Sequence, residues 1–228
     1  LLAEWNGEMN EHLPEPLIFY SWMRKLQQRL TQDELGVLSK EFSNFEPLFL
    51  ERVFRDIDGA SQWCDVLQSI PVEKCETIAE LALYDAISEL RERYKLKMNS
   101  LRWGDVHIAM HDHLTLGHIP LLNLLINLRQ SVSGGDYTLM RGLSSGNEYN
   151  PFENVHAAVY RGIYDFSDPD SSLYIISTGQ SGHLFSRHYD DLGQLWRRGE
   201  YINMSLDPDL AKAASNGTTK IIPAPNLQ

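Results

Sequence analysis

Ile18, Trp22, Leu26 and Leu30 recur every four residues, and the strongest constraint on the fold is that this spacing stops near Ser100. A period of three to four places apolar side chains on one helix face. The pattern returns in Leu83, Ile87, Leu90 and Tyr94, widened by Ala79, Ala82 and Ala86, and predicts a helix from about Val72 to Tyr94. Thr77-Ile-Ala-Glu80 has capping-box spacing but falls inside that helix. Pro14 and Pro16 open the first helix, where a missing N–H costs little, and Gly36 closes it. Val37 to about Phe54 reads as helical in part.

After Ser100 the signals change. Gly134-Gly-Asp136 and Ser144-Ser-Gly-Asn147 mark turns. Ala157 to Phe166 and Ser172 to Thr178 are rich in Val, Ile and Tyr and predict strands, with Ser167-Asp-Pro-Asp-Ser171 turning between them. A short helix is expected over Asp190 to Arg198. Asp190 and Asp191 would sit at its positive end, and Arg197 and Arg198 at its negative end before Gly199. Ala211 to Gln228 reads as an extended tail. The expected class is α+β, a single domain over residues 1–228 with a mainly helical part (1–100) and then a mainly antiparallel sheet with loops and one short helix (101–228).

The net charge of -11 argues against a nucleic-acid partner, because an acidic surface repels phosphate. The densest basic run, Arg91 to Lys97, is interrupted by Glu92 and reads as a solvated helix end. No apolar run approaches the ~20 residues that span a bilayer. The stretch Ile119 to Ile126 is too short and is broken by Pro120 and Asn123. Cys64 and Cys75 are too far apart for a Cys-x-x-Cys redox motif, so they are either one disulfide or two buried thiols. Leu1 is not an initiator Met and no secretion signal follows it; either an upstream segment is removed or the sequence is a piece of a longer polypeptide.

Three stretches carry candidate chemistry. Gly179 to Asp191, GQSGHLFSRHYDD, holds two serines, two histidines and two aspartates. A nucleophile elbow at Ser181 would need Gly-x-Ser-x-Gly, but His183 replaces the last glycine. The histidines also precede Asp190 and Asp191, the reverse of the order in that fold. The plainer reading is a tight turn with Ser181 bonded to local backbone. His107 and His111, four apart, would share a helix face as zinc ligands, but Ile108 stands where a metalloprotease has its Glu base. Asp168 with Asp170, and Asp190 with Asp191, are carboxylate pairs, but glycosidase carboxylates must face each other across ~5–9 Å. Turn and helix-cap roles suit them better.

The stretch Thr178 to Asp191, followed by Leu195-Trp196 and Gly199-Glu-Tyr201, resembles the C-terminal signature of the penicillin acylase (penicillin amidase) family. Members typically read Gly-Gln-Ser-Gly and then Ser-Pro-His-Tyr-Asp-Asp. Gly179, Gln180, Ser181, Gly182, His188, Tyr189, Asp190 and Asp191 match this, and Leu184 and Arg187 stand where the family has prolines. Leu1-Leu-Ala-Glu-Trp-Asn-Gly-Glu-Met9, Arg102-Trp-Gly-Asp-Val-His107 and Gly134-Gly-Asp136 have counterparts in the same order.

The resemblance implies part of an αββα N-terminal-nucleophile hydrolase. In such an enzyme the precursor cuts itself, and the new N-terminal Ser of the large β chain attacks an amide carbonyl with its own α-amino group as base. Leu1 is no such nucleophile. The resemblance therefore implies the C-terminal part of the β chain, inactive alone, which completes the large subunit. Its partners would be the α chain and the N-terminal part of the β chain, and the complete enzyme would take a small N-acyl substrate. The nucleophile, the oxyanion donors, most of the acyl pocket and any calcium ligands would lie upstream, so no catalytic or metal-ligating residue is assigned here. Export to the periplasm or beyond is expected, which favours a Cys64–Cys75 disulfide. The alternative is a non-catalytic binding or scaffold module from a degenerate member.

Overall fold

The computed structural model describes residues 1–42, 44–95, 100–215 and 217–223. Two compact units divide the chain, Leu1–Ala158 and Val159–Gln228.

In the first unit, helix α1 spans Glu15–Leu35 and α3 spans Cys75–Tyr94, with α2, Pro47–Phe54, between them. Pro16 lies in the first turn of α1, and the chain leaves the helix at Gly36, whose φ is 54°. Leu17, Tyr20, Leu26 and Leu30 of α1 are buried with Ile78, Ala82 and Leu90 of α3. Small side chains let two helices approach closely, and the fully buried residues of α3 are Ile78, Ala82, Ala86 and Leu90, whereas Leu83 and Ile87 are only half-buried. The alanines thus form the centre of the packed face, not its margin as periodicity suggested. Lys25–Glu89 and Arg29–Asp85, both at 2.7 Å, link the two helices.

Helix α3 starts at Cys75, three residues later than expected. Residues before it are committed elsewhere: Glu73 accepts from the Val66 N–H and the Ser69 hydroxyl, closing a separate turn. Cys75 is disulfide-bonded to Cys64, with the two Cα atoms 5.0 Å apart. The stretch between α1 and α2 is a 3₁₀-helix, Gly36–Phe42, followed by a bend. Buried Gln27 holds that bend, donating to the Phe42 and Asn44 carbonyls and accepting from the Glu46 N–H.

Strands β1, Ile108–His111, β2, Leu128–Ser131, β3, Gly142–Ser144, and β4, Asn154–Ala157, form one sheet in the order β2-β1-β4-β3. β1–β2 and β3–β4 are antiparallel, whereas β1 and β4 meet in parallel at Ala109 and Asn154. A four-residue helix, α4 (Asn123–Ile126), sits between β1 and β2.

The second unit holds an antiparallel sheet of β5, Tyr160–Ile163, β6, Ser172–Ile176, and β7, Ile202–Met204, in that order. Helix α5, Gly193–Arg198, buries Trp196, and Ile175 of β6 is fully buried. The run Ala157–Phe166, read as one strand, is divided: Ala157 ends β4 in the first unit, and β5 belongs to the second. Strand propensity is continuous there, and only the backbone path shows the change of sheet. Residues 101–228 hold three short α-helices among the described residues, not one. The third, α6, spans Pro208–Ala214, so residues 211–214 of the expected extended tail are helical instead. It forms because the Asp207 carboxylate caps the Asp209 and Leu210 N–H groups. The whole is α+β, with helices and mainly antiparallel sheets.

Candidate functional site

Gly179 to Asp191 is a closed surface loop. The Leu192 N–H donates to the Thr178 carbonyl at 3.1 Å, and the Ser181 N–H donates to the His188 carbonyl at 3.0 Å. Gly179 sits against this closure so tightly that a Cβ there would lie 2.0 Å from the His188 oxygen. Inside the loop Ser181 Oγ accepts the His183 N–H, and Ser186 Oγ accepts the His188 N–H. The hydroxyls are used to turn the chain.

His188 Nδ1 meets Asp191 Oδ2 at 2.7 Å, and Arg187 Nε donates to His188 Nε2 at 2.9 Å. An Arg N–H cannot accept, so Nε2 carries the lone pair and Nδ1 the proton shared with Asp191. A serine–histidine relay needs that Nε2 lone pair free for a hydroxyl. Here it faces Arg187, and Ser181 Oγ faces backbone. The three residue types of a triad are present, without the hydrogen bonds of one. Nor does Asp191 cap α5: the N-cap is Leu192, with no side-chain cap bond. The expected capping role is replaced by the bond to His188.

His107 and His111 are not on a helix. His111 ends strand β1 and His107 precedes it, so a spacing of four carries them roughly 13 Å apart. His107 is fully buried and stacks on Trp103 with ring centroids 4.3 Å apart. Its Nδ1 lies 2.7 Å from the Phe152 carbonyl. Burial lowers its pKa to about 4, opposed by the Phe152 bond, so the ring is neutral. Burial, then Arg129, also lowers that of His111. No group of three or more His, Cys, Asp or Glu that could hold a metal ion occurs among the described residues.

The other carboxylate pair is also structural. Asp168 accepts the Ser171 hydroxyl, whereas Asp170 accepts the Leu206 N–H at 2.6 Å and the Ser205 hydroxyl at 3.1 Å.

The sequence reading treated Leu1–Met9, Arg102–His107 and Gly134–Asp136 as separate stretches; the fold ties them together. The Gly134 N–H donates to the Met9 carbonyl at 2.7 Å, and the Trp103 indole N–H donates to the Gly134 carbonyl at 2.7 Å. The Gly104 N–H reaches the Glu11 carbonyl at 2.9 Å. Gly134 has φ +97° and its absent Cβ would meet the Met140 oxygen at 1.9 Å, so only glycine fits.

Beside this junction lies a cleft of about 360 Å³ that sequence reasoning missed. Its lining includes Trp5, Phe19, Tyr20, Phe45, Asp136 and Tyr137. Phe45 packs against Tyr20, with centroids 4.9 Å apart, and against Tyr137 at 5.6 Å. Asp136 is 5 % exposed and accepts the Ser144 N–H at 2.7 Å. Burial raises its pKa, while Tyr20 and Ser144 pull it back. The only sequence signal was Gly134-Gly-Asp136, read as a turn; the aromatic walls come from positions scattered between residues 5 and 137.

The sequence profile of the penicillin amidase family matches residues 1–213. The chain is 24% identical over 219 residues to the acyl-homoserine lactone acylase QuiP of Pseudomonas syringae pv. tomato, an alignment covering 90% of this chain and 26% of that protein. It is 26% identical over 144 residues to the penicillin acylase 2 proenzyme of Pseudomonas sp. strain SE83, covering 61% of this chain and 18% of that one. The chain thus spans about a fifth to a quarter of the length of the curated relatives it matches. Among solved structures, a thermostable penicillin G acylase from Alcaligenes faecalis aligns with a TM-score of 0.48 at 16% identity, over 97% of this chain and 40% of that one.

Proposed function

The chain belongs to the penicillin amidase family, and from that membership we propose that it is the C-terminal part of the large β chain of an N-acyl amide hydrolase. The observation that carries this reading is the family match over residues 1–213, with four motif stretches in the family's order. Three of these stretches meet in one hydrogen-bonded junction, and the fourth is the closed loop ending at Asp191.

In this reading the chain supplies scaffold, and the reacting groups come from the rest of the enzyme. There a serine oxygen adds to the amide carbonyl and the amine leaves with a proton. Water then releases the acid from the acyl-enzyme. The Ser181, His188 and Asp191 geometry supports a structural role for the signature loop, since each polar group is engaged in shaping it. The relatives' names suggest the linear amide bond of a penicillin or an acyl-homoserine lactone as substrate. The bonded Cys64–Cys75 pair supports an oxidising compartment, the periplasm or the exterior. Calcium, if the complete enzyme uses it, would be held by residues outside this sequence.

Two measurements test the proposal. The purified chain of confirmed mass should not turn over phenylacetyl amides or long-chain acyl-homoserine lactones; turnover by the chain alone overturns it. Intact-mass analysis of the native protein should find the remaining acylase sequence, with a Ser at a self-cleavage junction. A junction lacking a Ser, Thr or Cys nucleophile would instead support a non-catalytic scaffold.

A further inference from the structure

Asp136 forms no ion pair with a Lys or Arg among the described residues, although it is 5 % exposed. The buried Tyr20 hydroxyl lies against the Asp136 carboxylate and interacts with it. Both residues line the aromatic cleft, so a buried carboxylate with no cationic ion-pair partner belongs to the wall of a space that a ligand can enter. The cleft's volume of about 360 Å³ suits one small molecule.

The chemistry of the walls selects the ligand. An anion would meet the Asp136 carboxylate and the negative faces of aromatic rings. A neutral apolar molecule would strip water from the carboxylate and return nothing. A cation with an apolar body satisfies both features: its charge faces Asp136 and its methyl or methylene groups lie against the rings. The rings are already held in a cluster, with Trp5 and Phe19 centroids 5.3 Å apart and Phe45 between Tyr20 and Tyr137. We propose that this cleft binds a small soluble organic ammonium ion, with Asp136 as counter-ion and Trp5, Phe19, Tyr20, Phe45 and Tyr137 as the cage. The site stands on this chain's own residues and does not depend on the acylase reading.

The test is calorimetric titration of the intact chain with benzyltrimethylammonium at low ionic strength, against neopentylbenzene as its neutral isostere. One ammonium ion per chain is expected, with no comparable binding of the isostere. Asp136→Asn keeps the shape and an acceptor for the Ser144 N–H, and should weaken binding by at least roughly tenfold. Tyr137→Ala, at the exposed lip of the cleft, should weaken it several-fold without unfolding the chain, and decides the matter if Asp136→Asn fails to fold. Equal binding of the isostere, undiminished binding by a folded variant, or no binding overturns the proposal. Phosphatidylcholine vesicles present a trimethylammonium group on a surface. Binding of the free ion without retention on vesicles is expected, and preferential retention on vesicles overturns the assignment to a soluble ligand.

Discussion

His188 and Asp191 are joined at 2.7 Å, Nδ1 to Oδ2, inside a loop whose two ends are fastened by backbone hydrogen bonds. The pair looks catalytic in sequence and is architectural in space, because the other imidazole nitrogen accepts from Arg187.

The loop's stability should therefore follow its closure and not its hydroxyls. Gly179→Ala would push a Cβ into the His188 carbonyl and should cost ~1–3 kcal/mol. Ser181→Ala removes one local bond to the His183 N–H and should stay within about 0.5 kcal/mol. Urea unfolding of the two variants checks the contrast. A larger loss for Ser181→Ala than for Gly179→Ala would contradict it.

His107 makes stability depend on pH. The folded chain holds the ring neutral, with a pKa lowered from 6.5 to about 4. The unfolded chain binds a proton more readily, so its stabilisation is present above pH 6.5 and is lost as pH falls through the interval down to about 4. The loss should be on the order of 3 kcal/mol. His107→Gln should flatten the unfolding free energy over that interval. An unchanged slope would show that other groups govern it.

Reducing the Cys64–Cys75 disulfide frees the segment leading into α3. The closed loop is short, and its removal should cost ~2–3 kcal/mol. Thermal melts with and without a phosphine reductant read this directly. Mass analysis before and after reduction should show two thiols gained.

Ala82 and Ala86 lie at the fully buried centre of α3. Ala82→Leu should destabilise by ~1–3 kcal/mol through overpacking. Leu83→Ala, at a half-buried position, should cost less than a fully buried Leu→Ala, below ~2 kcal/mol. Chemical denaturation of both variants ranks the positions. The reverse order would place the helix contact on the wrong face.

Much of the helical half was legible because a helix writes its buried face into local spacing. The stripes on α1 and α3 and the stop at Gly36 were all readable. The late start of α3 was not, since Glu73 closes a turn with Val66 and Ser69 that no period reports. The strands were harder, because a Val- and Tyr-rich run states a preference for extended backbone without saying which sheet receives it. The aromatic cleft was invisible for a related reason: Trp5, Phe45 and Tyr137 are adjacent only after the chain has folded.

The sequence by itself determined the α+β class, the two long helices and the four motif stretches that carry the family likeness. Tertiary structure alone decided that three of those stretches meet at Gly134, that Ser181 Oγ and the His188 ring bond to different partners, and that Asp136 lines an aromatic cleft. The physical reason is that the junction at Gly134 is held chiefly by backbone N–H and C=O groups. Every residue except proline carries both groups, so side-chain identity does not announce which partners they will find.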